Sequence, residues 1–430
     1  MGKKKIIIVG AGFAGLQLGR KLKNNPYYEV TIIDKFNFHQ FQPLFYQVAT
    51  ARIEPSSISF PLRKVFQGAN NVSVRIAEVE AILSSTNQLK TNIGTFDYDY
   101  LVLATGCTTN FFGNQAVEEY AFPMKTTMEA IAIQNRLLTN FERALTAPKE
   151  DLEGILNIVV VGGGPTGVEM SGAIAEMKRN ILPKDYPDMN FSSMNIFLLE
   201  GGPHLLGPMS DMAHQKSKEY LESMGVNVWT NALFESYDGK VATLKDGRQI
   251  VTENVIWAAG VKGNIINGIQ QDIIQRGNRI LVDRYNKVQG TDNIFAIGDI
   301  AYMTTDKYPN AHPQLANVAI NQAKNLHKNF DKLATGNSNL TEFEYADPGS
   351  MATVGKRKAV VDLPKFSFQG RFAWYVWMFL HLMLILSVKN KIVIFINWAI
   401  SYFTNDTTLR LIMMPTKKHK ALADQGKFKF

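Results

Sequence analysis

Two glycine-rich turns carry the residues of this sequence that are best suited to chemistry. The first turn follows the apolar run 6–9 and precedes leucines at helical spacing. A second apolar run, 30–33, ends in Asp34. Strand, glycine turn, helix, strand and acid form the βαβ unit that binds a dinucleotide, with phosphates on the helix N–H groups and a ribose on the acid. The turn has the GxGxxG pattern and reads Gly10, Ala11, Gly12, Phe13, Ala14 and Gly15.

Each glycine of that pattern has a separate physical task. Gly10 permits the tight turn, Gly12 lets the backbone approach a pyrophosphate, and Gly15 lets the helix pack closely on the strand. An isolated match of this kind is weak evidence, but here the flanking strands, the helix and the acid are all present. The sequence therefore predicts a nucleotide-binding module at its start.

The same arrangement recurs in the middle of the chain. The run 157–161 precedes Gly162, Gly164 and Gly167, and the run 196–199 ends in Glu200. Each unit closes with an apolar run and a small-residue turn, at Gly106 in the first and Gly260 in the second. Gly10 to Gly106 spans 96 residues and Gly162 to Gly260 spans 98. We therefore predict two copies of one module and an α/β fold with two Rossmann-like dinucleotide-binding domains.

Other segments complete these modules. A buried strand over 293–299 ends in Gly-Asp, and Asp299 there can hold a ribityl hydroxyl of a flavin or, alternatively, cap a helix. Alternation predicts one strand over 72–82, and helical spacing predicts helices over 127–145, 217–224 and 313–330. The aromatic segment 36–50 is too irregular for a helix face and is either a packed connector or a segment beside a flavin.

Composition narrows the class of protein. At 430 residues the chain can hold two or three domains, and its single cysteine, Cys107, excludes an intramolecular disulfide and a cysteine-rich metal site. We expect no metal site and no signal peptide. Residues 356–430 carry 13 Lys and Arg against three Asp, a net charge of +10, whereas the other 355 residues sum to −2. A nucleic-acid binder would spread its basic face over a folded domain, so we expect no nucleic acid partner.

The basic end of the chain is also apolar and aromatic. Residues 372–388 are nearly unbroken apolar sequence, and a second apolar run, 392–403, follows two lysines. As one helix the first run would span roughly 25 Å, short of the roughly 30 Å hydrocarbon core of a bilayer. Lysines, interfacial aromatics and a basic terminus favour a monotopic membrane anchor over the alternative, a buried core or dimer-interface helix. His381 is predicted to be a packed polar group.

Four further motifs carry a family resemblance. They are Gln42-Pro43-Leu44-Phe45-Tyr46-Gln47-Val48-Ala49, Gly164-Pro165-Thr166-Gly167-Val168-Glu169, Trp257-Ala258-Ala259-Gly260-Val261 and Gly349-Ser350-Met351-Ala352-Thr353-Val354-Gly355. Together with the two modules they resemble the type II NADH:quinone oxidoreductases, the single-subunit, non-pumping NADH dehydrogenases, within the two-dinucleotide-binding flavoprotein superfamily. The branches of the superfamily that reduce disulfides or oxidise sulfide use several cysteines, which this chain lacks.

The resemblance implies non-covalent FAD in the first module, NADH in the second and a membrane quinone as electron acceptor. It places a proton-handling role on Glu169, for which the alternative is simple dipole stabilisation in the first turn of a helix. It places the quinone near Asn317 and Gln322, where Asn317 replaces the usual glutamine. The implied cofactor-binding residues are Gly10, Ala11, Gly12, Phe13, Ala14, Gly15, Asp34, Lys35, Val79, Gly106, Asp299, Ala316 and Asn317 for FAD, and Gly162, Gly164, Gly167, Glu200 and Gly260 for NADH.

The resemblance also predicts the organisation and location of the chain. We expect an FAD domain over 1–113 and 284–345, an NADH domain over 114–283 and a membrane-anchoring domain over 346–430. It implies a homodimer and a peripheral position on the cytoplasmic face of the cell membrane, where electrons enter a respiratory chain. Two alternatives share the modules: a soluble NADH-dependent reductase of a small redox protein, and a non-enzymatic redox-sensing flavoprotein.

Glu200 makes the choice between NADH and NADPH testable. A carboxylate accepts from a ribose 2′-OH but repels a 2′-phosphate, by about 4 kcal/mol per unit charge at about 4 Å and an effective dielectric near 20. No Arg follows Glu200 closely; the next residues are Gly201, Gly202, Pro203 and His204. We therefore expect a higher kcat/KM with NADH than with NADPH in steady-state assays. Equal efficiency with both would overturn this role of Glu200.

Overall fold

The structure is a computed structural model that describes residues 2–404, 406 and 409–413. The chain forms two compact units. The first unit comprises Met1–Gln40, Ser59–Asn110 and Val261–Asp347. The second unit comprises Phe41–Ile58, Phe111–Gly260 and Pro348–Phe430. Both units are therefore built from segments that are distant in sequence.

Strands alternate with helices around the two glycine turns, whereas β5 to β10 and β14 to β23 follow one another without an α-helix. The strands are β1 (Lys4–Val9), β2 (Tyr28–Asp34), β3 (Phe38–Gln40), β4 (Ser59–Pro61), β5 (Val72–Ile76), β6 (Val79–Leu83), β7 (Gln88–Thr91), β8 (Gly94–Asp97), β9 (Tyr100–Leu103), β10 (Cys107–Thr109), β11 (Phe122–Pro123), β12 (Ile158–Val161), β13 (Ile196–Leu199), β14 (Val226–Trp229), β15 (Phe234–Tyr237), β16 (Val241–Leu244), β17 (Gln249–Val251), β18 (Asn254–Trp257), β19 (Val261–Gly263), β20 (Ile274–Gln275), β21 (Arg279–Leu281), β22 (Ile294–Ala296), β23 (Ala301–Tyr302), β24 (Ser350–Thr353), β25 (Ala359–Asp362) and β26 (Ser367–Gln369). The α-helices are α1 (Phe13–Lys21), α2 (Phe45–Ala49), α3 (Leu62–Val65), α4 (Gln115–Tyr120), α5 (Thr127–Ala144), α6 (Leu152–Leu156), α7 (Pro165–Asn180), α8 (Leu182–Asp185), α9 (Asp211–Glu222), α10 (Ala316–Ala334), α11 (Arg371–Leu384) and α12 (Val388–Thr404). Short 3₁₀ helices cover Gln42–Leu44, Pro55–Ser57, Ser84–Thr86, Phe191–Ser193, Gln271–Ile273 and Gly298–Ile300.

A five-stranded parallel sheet organises the first unit. Its strand order is β22-β9-β1-β2-β5, with β1 in the centre. The apolar residues 6–9 of β1 are buried, as a strand covered on both faces requires. Helix α1 packs against α10 within this unit. The carboxyl ends of β1, β9 and β22 therefore meet at one edge of the sheet, where nucleotides bind in such folds.

The second unit repeats this sheet. Its order is β11-β18-β12-β13-β14, again parallel throughout, with β12 in the centre. The run β18-β12-β13-β14 corresponds strand for strand to β9-β1-β2-β5. The predicted duplication of one module and the predicted α/β class are both confirmed.

Small antiparallel sheets accompany the two parallel ones. In the first unit they are β6-β7-β8 and the pairs β3-β4 and β10-β19, and β20-β21-β23 is mixed. In the second unit they are β15-β16-β17 and β24-β25-β26. Strand β24 packs on α7, which brings the Gly349–Gly355 motif against the second glycine turn's helix.

Several sequence-predicted elements differ from those observed. The single strand expected over 72–82 is wrong, because Glu78 exchanges hydrogen bonds with Asn92 of the next hairpin. The chain therefore leaves the parallel sheet after β5 and enters the antiparallel sheet as β6. The helix expected over 217–224 begins earlier, at Asp211, because the Ser210 side chain accepts from the Ala213 N–H and caps it. The helix expected over 313–330 runs from Ala316 to Ala334.

The aromatic segment 36–50 was expected not to be helical, and this prediction is wrong for its second half. A 3₁₀ turn at Gln42–Leu44 leads into α2, whose five residues are all buried. Pro43 stands in the first turn, where the missing N–H costs no hydrogen bond. Residues 41–50 belong to the second unit, where α2 packs against α5 and α7, whereas residues 36–40 belong to the first unit. The alternative, a segment beside a flavin, stays a prediction.

The apolar end of the chain forms two helices. A single helix over 372–388 is not observed, because α11 ends at Leu384 and Ser387 accepts from the N–H groups of Asn390 and Lys391 at the start of α12. Helix α11 is thus about 21 Å long. Neither of these two helices, nor any other helix in the described part of the chain, has the length and apolar character of a membrane-spanning segment. The predicted basic terminus from Lys417 onward lies outside the described residues.

The two compact units and the three predicted domains divide the chain at different residues. Residues 261–283 pair with the first unit through β10-β19 and β21-β23. Residues 261–283 are part of the NADH domain, 114–283, that the sequence predicts. The described residues from Pro348 onward fall within the second unit. The functional division into FAD, NADH and anchoring domains stays a prediction.

Candidate active site

The first glycine turn has the geometry that its spacing predicted. Gly10 has φ +96°, and a Cβ there would stand 2.3 Å from the Ala104 carbonyl oxygen at the end of β9. A Cβ on Gly15 would stand 1.8 Å from the Gly10 carbonyl oxygen. A Cβ on Gly12 would meet nothing within 4 Å. Backbone atoms thus occupy the places where side chains at Gly10 and Gly15 would stand, whereas Gly12 borders open space that a phosphate would use.

The second glycine turn repeats these three environments. Gly162 has φ +110°, and its Cβ would lie 2.6 Å from the Ala258 carbonyl oxygen at the end of β18. A Cβ on Gly167 would lie 1.9 Å from the Gly162 carbonyl oxygen, and Gly164 again has nothing within 4 Å. Two turns that are 152 residues apart in sequence share the same contacts.

The acids that end the second strands make equivalent hydrogen bonds. Asp34 accepts from the Ala11 N–H at 2.6 Å and from the Phe36 N–H at 2.7 Å. Glu200 accepts from the Gly163 and Gly202 N–H groups, both at 2.6 Å. Burial raises the pKa of Asp34, and these backbone donors and nearby Lys35 oppose that rise. Each carboxylate is therefore held against its own glycine turn, where an adenosine ribose lies in such modules.

Both turns fit a dinucleotide pyrophosphate. Helices α1 and α7 start directly after Gly12 and Gly164, and among the described residues no side chain caps either N-terminus. Their first N–H groups point along the helix axis, where the dipole favours an anion. Open space at the middle glycine, an uncapped helix start and a carboxylate beside the turn fit the adenosine and pyrophosphate of a dinucleotide such as FAD or NADH in either unit.

The end of β22 brings further predicted flavin residues together in the first unit. Gly298 donates its N–H to Gln322 Oε1 at 2.7 Å, and the Cys107 thiol donates to Asp299 Oδ2 at 3.0 Å. Cys107 follows Gly106, which has φ +65°. Asp299 begins no α-helix but lies in a 3₁₀ turn, so its side chain is not a cap for α10. Asp299 and Gly106 therefore converge at the carboxyl edge of the first sheet.

The remaining predicted ligands differ in exposure. Lys35 and Asn317 are exposed, Ala316 and Val79 are partly buried, and Asn317 lies in the first turn of α10. Gln322 is 1 % exposed and its side-chain oxygen is bonded to Gly298. Contact of this oxygen with a quinone would require breaking that bond, and the quinone role of Asn317 and Gln322 stays a prediction. Phe13, Ala14 and Gly260 stand in or beside the two turns; Phe13 and Gly260 are partly buried and Ala14 is buried.

Glu169 is a buried carboxyl group on α7 of the second unit. It is the fifth residue of that helix, beyond the first turn, so the alternative reading as a dipole-stabilised first-turn glutamate is wrong. The residue is 8 % exposed, and its Oε1 accepts from the Thr353 N–H at 3.2 Å and the Thr353 hydroxyl at 3.3 Å. Burial raises the pKa of Glu169 to about 8, against the opposing effect of Thr353 and Trp377. The Trp377 indole N–H lies outside hydrogen-bond geometry, so its effect on Glu169 is that of a nearby dipole.

A pKa near 8 suits proton exchange close to neutral pH. A carboxyl group with the ordinary pKa would be ionised throughout that range and could not donate a proton. Perturbed titratable groups in buried sites are characteristic of functional centres. This environment supports the proton-handling role that the resemblance implied for Glu169.

Sequence reasoning did not single out the side chains around Glu169. Within the second unit, Tyr46 bonds to Thr353, the hydrogen-bond partner of Glu169, and Gln47 and Trp398 follow in turn. Tyr46 and Gln47 belong to the Gln42–Ala49 motif and Thr353 to the Gly349–Gly355 motif, so their positions in family motifs were the available signal. Their contacts join residues more than 180 positions apart, which no local pattern reports.

Two parallel-sheet modules with repeated glycine turns and acidic strand ends define a two-dinucleotide oxidoreductase. The family model "Pyridine nucleotide-disulphide oxidoreductase" matches residues 4–323, and the model "NDH2 C-terminal domain" matches residues 348–405. The chain belongs to the type II NADH:quinone oxidoreductase family and is an NADH dehydrogenase. Enzymes of this family pass electrons from NADH to quinone.

Individual relatives agree with this assignment. The chain is 34 % identical over 418 residues to the type II NADH:quinone oxidoreductase NdhA of Mycobacterium tuberculosis, covering 93 % of this chain and 87 % of the relative. It is 31 % identical over 421 residues to a second enzyme of that organism, Ndh, covering 94 % and 89 %. The solved structure of NDH2 from Plasmodium falciparum in complex with NADH matches with a TM-score of 0.89 at 22 % identity, covering 96 % of this chain and all (100 %) of that chain. That likeness shows a shared fold.

The glycine environments give a test of the first module. We expect Gly15→Ala to lower thermal stability and flavin content together, because its Cβ would collide with the Gly10 carbonyl. Gly12→Ala should keep the stability and lose flavin affinity, by on the order of tenfold, because its Cβ occupies only ligand space. Thermal melting and bound flavin per chain measure the two effects. The matched control is Gly207→Ala, where a Cβ would likewise meet nothing within 4 Å and the backbone is not left-handed; loss of flavin there would contradict the account.

Proposed function

We propose that the chain oxidises NADH and reduces a membrane quinone through one non-covalently bound FAD, without moving protons across the membrane. The overall reaction takes NADH, one proton and quinone to NAD⁺ and quinol. The observation that carries this proposal is the repeated turn-and-acid geometry of the two units, in a chain of the type II NADH:quinone oxidoreductase family. This reaction is the entry of electrons into a respiratory chain.

The first unit is assigned to FAD and the second to NADH. A flavin bound there would supply the two-electron redox chemistry that links nicotinamide to quinone. The protein's own contribution is to bind and orient: Asp34 and Gly12 hold the FAD adenosine and pyrophosphate, and Glu200 and Gly164 hold those of NADH. Asp299 is assigned to the ribityl chain, and Lys35, Val79, Gly106 and Ala316 to its flanks.

Glu169 is assigned the proton chemistry. Quinone reduction consumes two protons, and a carboxyl group that titrates near pH 8 can hold a proton at Oε1 or Oε2 and release it at neutral pH. Thr353 keeps that carboxyl in place through two hydrogen bonds. Asn317 and Gln322 are assigned to the quinone side, as the family resemblance implies.

The apolar faces of α11 and α12 are assigned to a lipid surface. Exposed large side chains recur along both helices, with Phe379 59 %, Phe395 51 % and Phe403 81 % exposed. Large apolar side chains that lie exposed side by side mark interaction surfaces. An amphipathic helix that does not span a bilayer can lie in the interface of the bilayer. We place the chain as a peripheral, monotopic protein on the cytoplasmic face of the cell membrane, and as a homodimer.

Stopped-flow spectroscopy of the flavin tests the two half-reactions. We expect NADH to bleach the oxidised flavin and a ubiquinone or menaquinone analogue to restore it, both within the turnover time. Glu169→Gln should slow the quinone half-reaction by roughly 10²- to 10⁴-fold, the usual contribution of an acid–base group, and leave flavin content unchanged. Reduction by NADH with no rapid reoxidation by any quinone would favour the redox-sensing alternative and contradict the proposal.

Vesicle co-sedimentation tests the membrane assignment. We expect Phe379→Ser combined with Phe395→Ser to weaken partitioning onto neutral phosphatidylcholine vesicles by roughly tenfold or more, from the lost transfer of two phenyl groups. Phe112→Ser is the matched control, since Phe112 is 66 % exposed but lies outside α11 and α12. Release of the unaltered chain by mild salt alone would favour the soluble reductase and contradict the anchor.

A further inference from the structure

A continuous chain of buried hydrogen bonds runs from Glu169 to the C-terminal helix within the second unit. The Thr353 hydroxyl donates to Glu169 Oε1, and Tyr46 Oη lies 3.1 Å from Thr353 Oγ1. Gln47 Nε2 donates to Tyr46 Oη at 3.0 Å, and Trp398 Nε1 of α12 donates to Gln47 Oε1 at 2.7 Å. All five side chains are buried.

The direction of every bond in this chain is set at its Trp398 end. An indole N–H can only donate, so the Gln47 atom that it contacts must be the amide oxygen. The Gln47 amide nitrogen then faces Tyr46 and donates to its oxygen. Tyr46 has a single hydrogen, which is left to donate to Thr353 Oγ1, and the Thr353 hydrogen is left for Glu169. The donors of the whole chain therefore point toward the carboxyl group of Glu169.

We propose that Tyr46 and Gln47 are positioning residues for Glu169, which complete with Thr353 a one-directional hydrogen-bond chain from Trp398 of α12 to the Glu169 carboxyl group. Aligned hydrogen bonds polarise one another, so each donor strengthens the next. The chain stabilises the ionised form of Glu169 against the cost of its burial. The relevance of this effect to quinone reduction rests on the proposed function; the positioning itself does not.

No charged group forms a described ion pair with Glu169, so hydrogen bonds stabilise its ionised form. Tyr46, Arg52, Lys356 and Tyr402 line the cavity beside this hydrogen-bond chain, and His381 lies on α11. The helices α8 and α9, which also contact α7, carry the acidic and basic groups Lys184, Asp185, Asp211, His214, Lys216, Lys218, Glu219 and Glu222. None of these groups is among the causes of the raised pKa of Glu169. Arg52 forms its ion pair with Glu176 of α7. Among the described ion pairs none includes Glu169.

Lys356 and His381 also make their contacts with groups other than Glu169. Lys356 donates to the Ser401 and Tyr402 carbonyl oxygens at 2.8 and 2.5 Å. His381 stacks on Trp377 at 4.0 Å, and burial lowers the pKa of His381 to about 4, so the ring is neutral near pH 7. Burial raises the pKa of Tyr46, which keeps its hydroxyl protonated and available as a donor. The Glu169 charge is thus balanced by donors rather than by a cation.

The expected signature is a graded change in the pKa of Glu169. Thr353→Val removes the direct hydroxyl donor and should raise the Glu169 pKa by about one unit. Tyr46→Phe removes a donor one bond further away and should raise it by about a third of a unit, and Trp398→Phe by less. Thr353→Ser retains the hydroxyl and should restore the titration of the unaltered chain.

Infrared titration of the FAD-loaded full chain measures this pKa directly. The protonated-carboxyl band of Glu169 is assigned by its loss in Glu169→Gln, and its pH midpoint is then followed in each variant. The same order of shifts should appear in the pH profile of the quinone half-reaction, moved to higher pH. Tyr186→Phe is the matched control. The Tyr186 hydroxyl also donates to a carboxylate, that of Glu142, at 2.8 Å, but it is not part of the hydrogen-bond chain that leads to Glu169.

Each outcome decides the proposal. Upward shifts in the order Thr353→Val, Tyr46→Phe and Trp398→Phe, with Thr353→Ser and Tyr186→Phe unchanged, support it. Midpoints for Tyr46→Phe and Trp398→Phe that match Tyr186→Phe would overturn it, even if Thr353→Val shifts. The infrared titration needs neither NADH nor quinone. If the pKa of Glu169 shifts in this order but the protein reduces no quinone, the positioning role is retained and the proposed function is refuted.

Discussion

The closest backbone approach in each nucleotide module decides where its ligand can lie. A strand carbonyl oxygen occupies the place where a Cβ of Gly10 or Gly162 would stand, and the first glycine's own carbonyl does the same for Gly15 or Gly167. These contacts pull the helix start onto the sheet, so that the open middle glycine and the uncapped N–H groups face outward together. A side chain at the outer positions would move the helix and with it the anion site. The sheet and the helix of each module hold this close contact between helix start and strand end in place.

The second constraint is the buried carboxyl group of Glu169. A carboxylate removed from water favours its protonated form, and hydrogen-bond donors oppose that preference. In the second unit the opposition comes from Thr353 and Trp377, without a cationic partner among the described ion pairs. The balance of these two effects sets the pKa close to neutral pH, where the group can both hold and release a proton. Burial without the donors would leave a group that stays protonated.

Local pattern in the sequence was sufficient for the modules but not for the surroundings of Glu169. The glycine spacing, the buried strands and the acids at 34 and 200 were all predicted, because a βαβ unit is specified by about thirty consecutive residues. The single strand over 72–82 was wrong, because a pairing between Glu78 and Asn92 cannot be seen in an alternating pattern. The contacts of Tyr46 with Thr353 and of Gln47 with Trp398 join residues more than 300 positions apart. The break between α11 and α12 depended on one serine hydroxyl that hydropathy does not weigh.

The most direct test of the account is the flavin content of the purified chain. The absorption spectrum of the folded protein, before and after incubation with FAD, gives the number of flavins bound per chain. Two nucleotide modules of which one holds FAD and the other NADH predict one flavin per chain, released intact on denaturation since it is bound non-covalently. A folded chain that is colourless and takes up no FAD would contradict the account.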